Sequence, residues 1–286
     1  MRIPAGIATV AALLLAGCSG MTRIAYNNAD FFLRKMANDY FALDDSQAEE
    51  LRARLRRIHA WHRANELPQY VAFLRTAERR FSRGLTPEDV AWGIATVRTR
   101  FHALAAKAAE EAAPMLSNLS QEQIGVLERR LAENNAKYVR ENLPSDERKR
   151  VRVQTRRMAE SLGQWTGELT RDQEARVERF VRAHDRYASM RFEDRVRGQR
   201  DAVALLRKRL PPQQLAPLLA RHFNDPDARR SDEFRREEKR WEADFGKLLA
   251  ELSATLSSEQ RAHVIDNIER FANDFAILAG DARNAA

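Results

Sequence analysis

The sequence predicts an all-α protein, either a multi-helix bundle or an extended helical array, and three observations carry that expectation. Apolar residues recur at spacings of three and four through most of the chain, no segment sustains strand alternation, and the 286 residues include only 11 glycines. A short unit recurs ahead of the apolar runs: a leucine, then Thr or Ser, then Gln three residues further on. Hydrophobic content of 44% beside 31% charged residues describes a core under a charged exterior and excludes a disordered chain.

The chain opens on Arg2 and an alanine- and leucine-rich run from Ile3 to Leu15, too short to span a bilayer, so residues 1–17 read as a secretory signal peptide. Leu15-Ala16-Gly17-Cys18 at its end resembles a bacterial lipobox. That resemblance implies cleavage before Cys18, acylation of that cysteine, and a lipidated tether over residues 18–25. Ser19 follows, not the aspartate that retains enteric lipoproteins at the inner membrane. By that analogy the expected place is the periplasmic face of the outer membrane, with the inner membrane as the alternative. Cys18 is the single cysteine, so an exported chain of this kind has no disulfide and is held by packing alone. The net charge of +8 would suggest nucleic acid in the cytosol, but export removes that partner. Anionic lipid, envelope glycan and acidic envelope proteins remain, and solvated arginine-rich helix faces explain the same charge with no partner at all.

Residues 26–280 read as one all-helical domain, with a subdivision near 142–145 left open. Phe31, Phe32, Leu33, Met36, Tyr40 and Phe41 are expected on one buried helix face, with Asn28 or Asp30 as its cap. Leu43-Asp44-Asp45-Ser46-Gln47 then precedes a helix carrying Leu51, Leu55, Ile58 and Trp61, which Leu67-Pro68 is expected to end. Similar punctuation returns at Leu85-Thr86-Pro87-Glu88-Asp89, at Leu119 to Gln123, at Leu169 to Gln173 and at Leu256 to Gln260, with a degenerate copy at Leu210 to Gln214. The physics is that of the capping box. The Thr or Ser hydroxyl accepts from the amide three residues on, and a Gln or Glu there reaches back to the cap amide. Each copy is therefore a helix start and not a catalytic site. Pro114 is expected to kink or shorten the alanine-rich helix before it.

Two resemblances rest on these residues. The Leu-Thr-x-x-Gln unit, clearest at Leu169 to Gln173, resembles the repeated motif of the Spy and CpxP periplasmic stress proteins, which are small helical chaperones or adaptors. A closer resemblance, over most of the mature chain, is to uncharacterised proteobacterial lipoproteins. These combine the lipobox with a Tyr-Asn-x-Ala-Asp segment (here Tyr26 to Asp30), a Trp-His-Arg-x-x-Glu-Leu-Pro-x-Tyr segment (here Trp61 to Tyr70), and the same helix starts. The resemblance implies a fold and a location, and no activity.

For chemistry, His59, His62 and Glu66 are the metal candidates, since spacings of three and four gather ligands on one helix face; the alternative is a polar cluster bonding its own neighbours. His184-Asp185 and His222 read as cap or core residues. No phosphate loop, nucleophile elbow or dinucleotide fingerprint occurs. The expectation is thus a lipid-anchored envelope protein with no cofactor and no catalytic residues. It would act as a helical binding, adaptor or chaperone-like protein on an envelope partner or unfolded clients. The alternative is a helical envelope hydrolase, for example on peptidoglycan, using a pair of carboxylates or a metal at His59 and His62.

Overall fold

The computed structural model describes residues 21–283, and every regular element among them is helical. Cys18, the signal peptide and the first tether residues lie outside the described residues. In order, the α-helices are α1 Met21–Asn27, α2 Ala29–Phe41, α3 Asp45–Trp61, α4 Leu67–Ser82, α5 Pro87–Ser117 and α6 Gln121–Asn142. They continue as α7 Glu147–Thr166, α8 Arg171–Ala183, α9 Asp185–Arg207, α10 Pro212–Asn224, α11 Asp232–Thr255 and α12 Ser258–Arg283. A π-helical turn, His62–Glu66, joins α3 to α4, and a 3-10 turn, Pro226–Arg229, precedes α11.

The helix starts are built as the sequence predicts. Asp44 with Gln47, Thr86 with Asp89, Ser120 with Gln123 and Thr170 with Gln173 form reciprocal capping boxes. Ser257 and Gln260 exchange the same two bonds, at 3.1 Å each. The degenerate copy has Pro211 at the cap and no side-chain bond. Gly84 and Gly167, at φ of 98° and 77°, supply the left-handed residues that turn the chain into two of these starts.

The boxes also meet one another. Gln173 Nε2 donates to Gln260 Oε1 at 3.0 Å, and Gln260 Nε2 returns the bond at 3.0 Å. The second amide hydrogen of each goes to the chain just ahead of its partner's helix: Gln173 to the carbonyl of Thr255, the last residue of α11, at 3.2 Å, and Gln260 to the Glu168 carbonyl at 2.8 Å. Each Oε1 still accepts its own cap amide, Thr170 N at 3.0 Å and Ser257 N at 3.1 Å. Gln173 is 1% exposed, and all its hydrogen-bonding capacity is met. Gln47 and Gln123 repeat the arrangement in a more open setting, with mutual bonds of 3.2 and 2.6 Å and a bond from Gln123 to the Ala42 carbonyl at 3.3 Å. The start of α3 is thereby joined to that of α6, and the start of α8 to that of α12.

Among the described residues the buried apolar side chains fall into four clusters, the last two of which share contact with Phe275. The 31 residues of α5 extend about 46 Å at the helical rise. Its C-terminal half packs Ala109 and Ala113 against Leu215 and Leu219 of the antiparallel α10, with Ile124, Leu127, Val203 and Leu206 completing that cluster. A second joins α7, α8 and α11 through Val151, Val177, Phe180, Leu248 and Leu252. A third pairs α4 with the antiparallel α12 through Leu74, Phe81, Val264, Ile268 and Phe271. The fourth holds Tyr26 of α1 against Leu67, Leu278 and Ala279. Where α11 crosses α5, Gly246 lies so close to Pro87 that a Cβ there would sit 3.3 Å from the Pro87 carbonyl oxygen.

Several expectations are corrected. Phe31 and Phe32 are exposed; the buried stripe of the first two helices runs instead through Thr22, Tyr26 and Ala29. Asn28 makes no cap bond, and its side chain donates to the Ile24 carbonyl at 2.8 Å. Leu67-Pro68 starts the next α-helix as expected, but without a break in the helical path: the ladder widens into the π turn, where the Leu67 amide reaches His62 O, and helix continues past the proline's missing donor. Pro114 also sits inside its helix, which continues to Ser117.

If the paired glutamines fasten the helix starts, Gln173→Ala and Gln260→Ala each lower stability by about 1–3 kcal/mol, the range for a buried polar group left without its partner. In a urea double-mutant cycle the two changes couple by about 0.5–3 kcal/mol, whereas Gln173→Ala and Gln123→Ala add. Simple additivity of the first pair would show that the amide exchange contributes nothing.

Candidate functional site

The π turn is the locus at which the two segments that the sequence singles out come together. α1 supplies Tyr26 and Asn27, the end of α3 supplies His59 and the turn itself His62, Arg63 and Glu66. α4 adds Tyr70, α5 adds Arg100, and α12 closes the cluster with Asp274 and Phe275. A π turn shifts the helical register, so His59, His62 and Glu66 no longer share one regular face.

His62 is bonded on both sides. Tyr26 Oη lies 2.8 Å from its Nδ1 and Tyr70 Oη 3.3 Å from its Nε2, an imidazole suspended between two phenols. Burial, followed by the field of His59, lowers its pKa from 6.5 to about 4, so the ring is neutral at neutral pH. His59 lies under Tyr26 with ring centroids 4.6 Å apart, and burial and then Arg63 lower its pKa as well. Arg63 covers the other part of the Tyr26 ring at 5.3 Å and bonds Asn27. Burial pushes Tyr70 up to about 12 and raises Tyr26 further still, so both phenols stay protonated.

Glu66 is 2% exposed. Its Oε1 is 3.7 Å from Arg100, its Oε2 has no hydrogen-bond partner, and burial raises its pKa against the opposing pull of Arg100. A neutral imidazole held by two protonated phenols has no free lone pair for a metal. Among the described residues no three His, Cys, Asp or Glu side chains converge as metal ligands. The metal candidates His59, His62 and Glu66 are therefore better described as a buried polar cluster that ties α1 to α4 and α12. Tyr26, Tyr70 and Arg100 belong to it as fully as the histidines; two of the three lie inside the motif segments, which was the available signal.

Two surface recesses adjoin the α8–α9 junction and the start of α11, with volumes of about 310 and 420 Å³. Their linings are ionic. Arg150 grips Asp185 with bonds of 2.8 and 2.5 Å, Arg186 reaches Glu233 at 3.2 Å, and Glu237 is 3.1 Å from His184. His184 is buried with Asp244 3.3 Å from its other ring nitrogen, which makes it a bridge between α8 and α11. Glu238, whose pKa burial raises, is 2.7 Å from Arg230 and lines neither recess. Asp185 and Glu233 are thus engaged by arginines, Glu237 is also 3.4 Å from Arg240, and Glu193, which lines the first recess as well, is exposed. His222 is part-buried, lowered in pKa by burial and by Arg229, and stands apart from both places. No described helix is long and apolar enough to cross a membrane.

One protein family matches the chain over residues 39–235, more than half its length; its description reads family of unknown function (DUF6279). No curated protein and no solved structure matches.

The polar cluster makes a signed prediction about pH. The folded-state pKa of His62 is depressed, so the unfolded chain binds the proton more tightly, and stability declines as pH falls from 6.5 towards 4. His62→Gln, which does not titrate there, flattens that part of a plot of urea midpoint against pH; parallel plots for the variant and the natural protein would contradict it. Glu66 acts in the opposite sense: its raised folded-state pKa favours the protonated form, and its stabilising effect is lost as pH rises above 4.5. Glu66→Gln therefore holds or raises the urea midpoint at pH 7. A loss of more than about 1 kcal/mol would mean that the pairing with Arg100 outweighs burial.

Proposed function

The chain belongs to the DUF6279 family, and on that premise we propose that it is a periplasmic lipoprotein, anchored to the outer membrane by Cys18, that acts as a helical binding protein: an adaptor or chaperone for other envelope molecules. The observation that supports this most is the division of the interior into four small clusters strung along long helices. That construction presents extended helical faces to solvent, as a protein working through its surface needs, and in the ionic recesses Asp185 and Glu233 are paired with arginines. The arginine-rich faces suit anionic or acidic partners, since arginine keeps its charge and forks onto carboxylate or phosphate. The anchor rests on the lipobox of Leu15 to Cys18, where a multiply acylated cysteine would hold the protein durably at the bilayer.

The Cys18→Ala variant tests the anchor. It is expected in the soluble periplasmic fraction, and its retention on membranes without detergent would overturn the assignment. Photo-crosslinking in cells from positions along Trp61 to Tyr70 and the arginine-rich helices tests the binding role. One dominant envelope protein would make the chain an adaptor, and many unrelated unfolded chains would make it a chaperone. Capture of no protein from any position would defeat both readings.

A further inference from the structure

We propose that the exposed apolar stripe of Ile24, Phe31 and Phe32, with Ile277 alongside, is sunk in the surface of the lipid bilayer. The first two helices then form a second, interfacial attachment beside the lipid anchor. The inference rests on the anchored reading above and adds to it a named membrane-facing surface.

The stripe is defined by register. α1 and α2 run on across Asn28, whose amide reaches Ile24 O at 3.1 Å and whose carbonyl accepts from Phe31 N at 3.1 Å. The two helices therefore share faces, and Ile24 and Phe31, seven residues apart, lie in one line. The buried line holds Thr22, Tyr26 and Ala29; the outer line holds Ile24, Asn27, Asn28, Phe31, Phe32, Lys35, Asn38 and Asp39. The apolar members of the outer line all fall at its N-terminal end. Ile24 is 63% exposed, Phe31 55% and Phe32 41%. Ile277, 44% exposed, stands on α12 one turn from Asp274, the residue that pairs with Arg23 at 3.2 Å. From Lys35 onward the same line is polar.

Such an arrangement is unfavourable in water, because large apolar side chains that have a packed face available next to them are turned away from it. It is favourable where that end of the line meets hydrocarbon and the other end meets headgroups. The length of chain ahead of α1 fixes which solvent that is. From Cys18 to Met21 is three residues, so even fully extended backbone leaves the start of α1 within about 11 Å of an acylated Cys18. An interfacial helix lies with its apolar face about 5–10 Å into the boundary of headgroups and chains, within that reach. The cation that follows fits: Lys35 is exposed and has no ion pair among the described residues, at the level where anionic headgroups would meet it. On the inward side Tyr26 is locked by His59, His62 and Arg63, so this contact also fixes how the body of the protein stands on the membrane.

The test uses the full-length lipidated protein in vesicles of phosphatidylethanolamine and phosphatidylglycerol. A cysteine-directed fluorophore is placed at Asn28→Cys within the apolar end, or at Asn38→Cys on the same line beyond it, and quenching by spin-labelled lipids is read. The probe at 28 is expected to be quenched about twofold or more over the probe at 38, as an interfacial depth of ~5–10 Å would give. Phe31→Asp with Phe32→Asp should equalise the two probes while the protein stays on the vesicles. Equal quenching in the protein with both phenylalanines intact would overturn the proposal. So would a probe at 28 shielded from water by a second copy or another protein when no lipid is present. The chain without an added cysteine separates the two readings: uptake of the label means a free Cys18 and defeats the anchor itself, whereas no uptake with equal quenching defeats only the interfacial contact.

Discussion

Gln173 and Gln260 each close the first turn of a helix and also hold the other in place, and most of the architecture depends on this doubled use of one side chain. A helix start leaves backbone amides without partners, and a capping box satisfies two of them locally. Here the amide group that completes the box has donors to spare, and it spends them on the neighbouring box and on the loop that leads into it. In a buried setting such bonds strengthen one another, and leaving one unmade is costly. The joints matter because the apolar clusters are small: each fastens two to four helices. Packing supplies cohesion within each cluster, while the paired starts set which helix begins beside which.

At the N-terminal end the same task falls to different chemistry. Tyr26, His62 and Tyr70 form a bonded chain through a π turn that carries the axis past Pro68, and α12 covers it with Leu278 and Phe275. A neutral imidazole between two protonated phenols fits a part-buried joint, since none of the three groups carries charge. Glu66 is the exception, buried with one oxygen unpartnered and the Arg100 cation nearby. The cluster ties the first helix firmly to the body, so whatever that helix touches is coupled mechanically to the rest of the protein.

The corrections share a cause. Proline reads as a break because it lacks an amide and crowds the preceding turn, yet at Pro68 a five-residue π turn absorbs the defect, and at Pro114 the helix runs three residues further. Periodic spacing at Phe31 and Phe32 reads as a buried face, but periodicity reports only that apolar residues share a side of a helix, not what covers that side. Likewise, the spacing of His59, His62 and Glu66 suggests ligands on one face, and the π turn removes the regular register on which the suggestion rests.

The sequence by itself determined the all-helical class and the positions of the capping-box starts, because capping is local: its donors and acceptors lie within four residues of one another; the caps at Asp146 and Ser231 lack the box and went unread. It also marked Tyr26 to Asp30 and Trp61 to Tyr70 as segments of interest. Only the tertiary structure decided that these two segments form one buried cluster, and that the capping glutamines join in the pairs 47 with 123 and 173 with 260. It decided too that the outer line of α1 and α2 ends in uncovered Ile24 and Phe31. Partners separated by 36 to 87 residues are chosen by which helices pack together, and no local pattern encodes that choice.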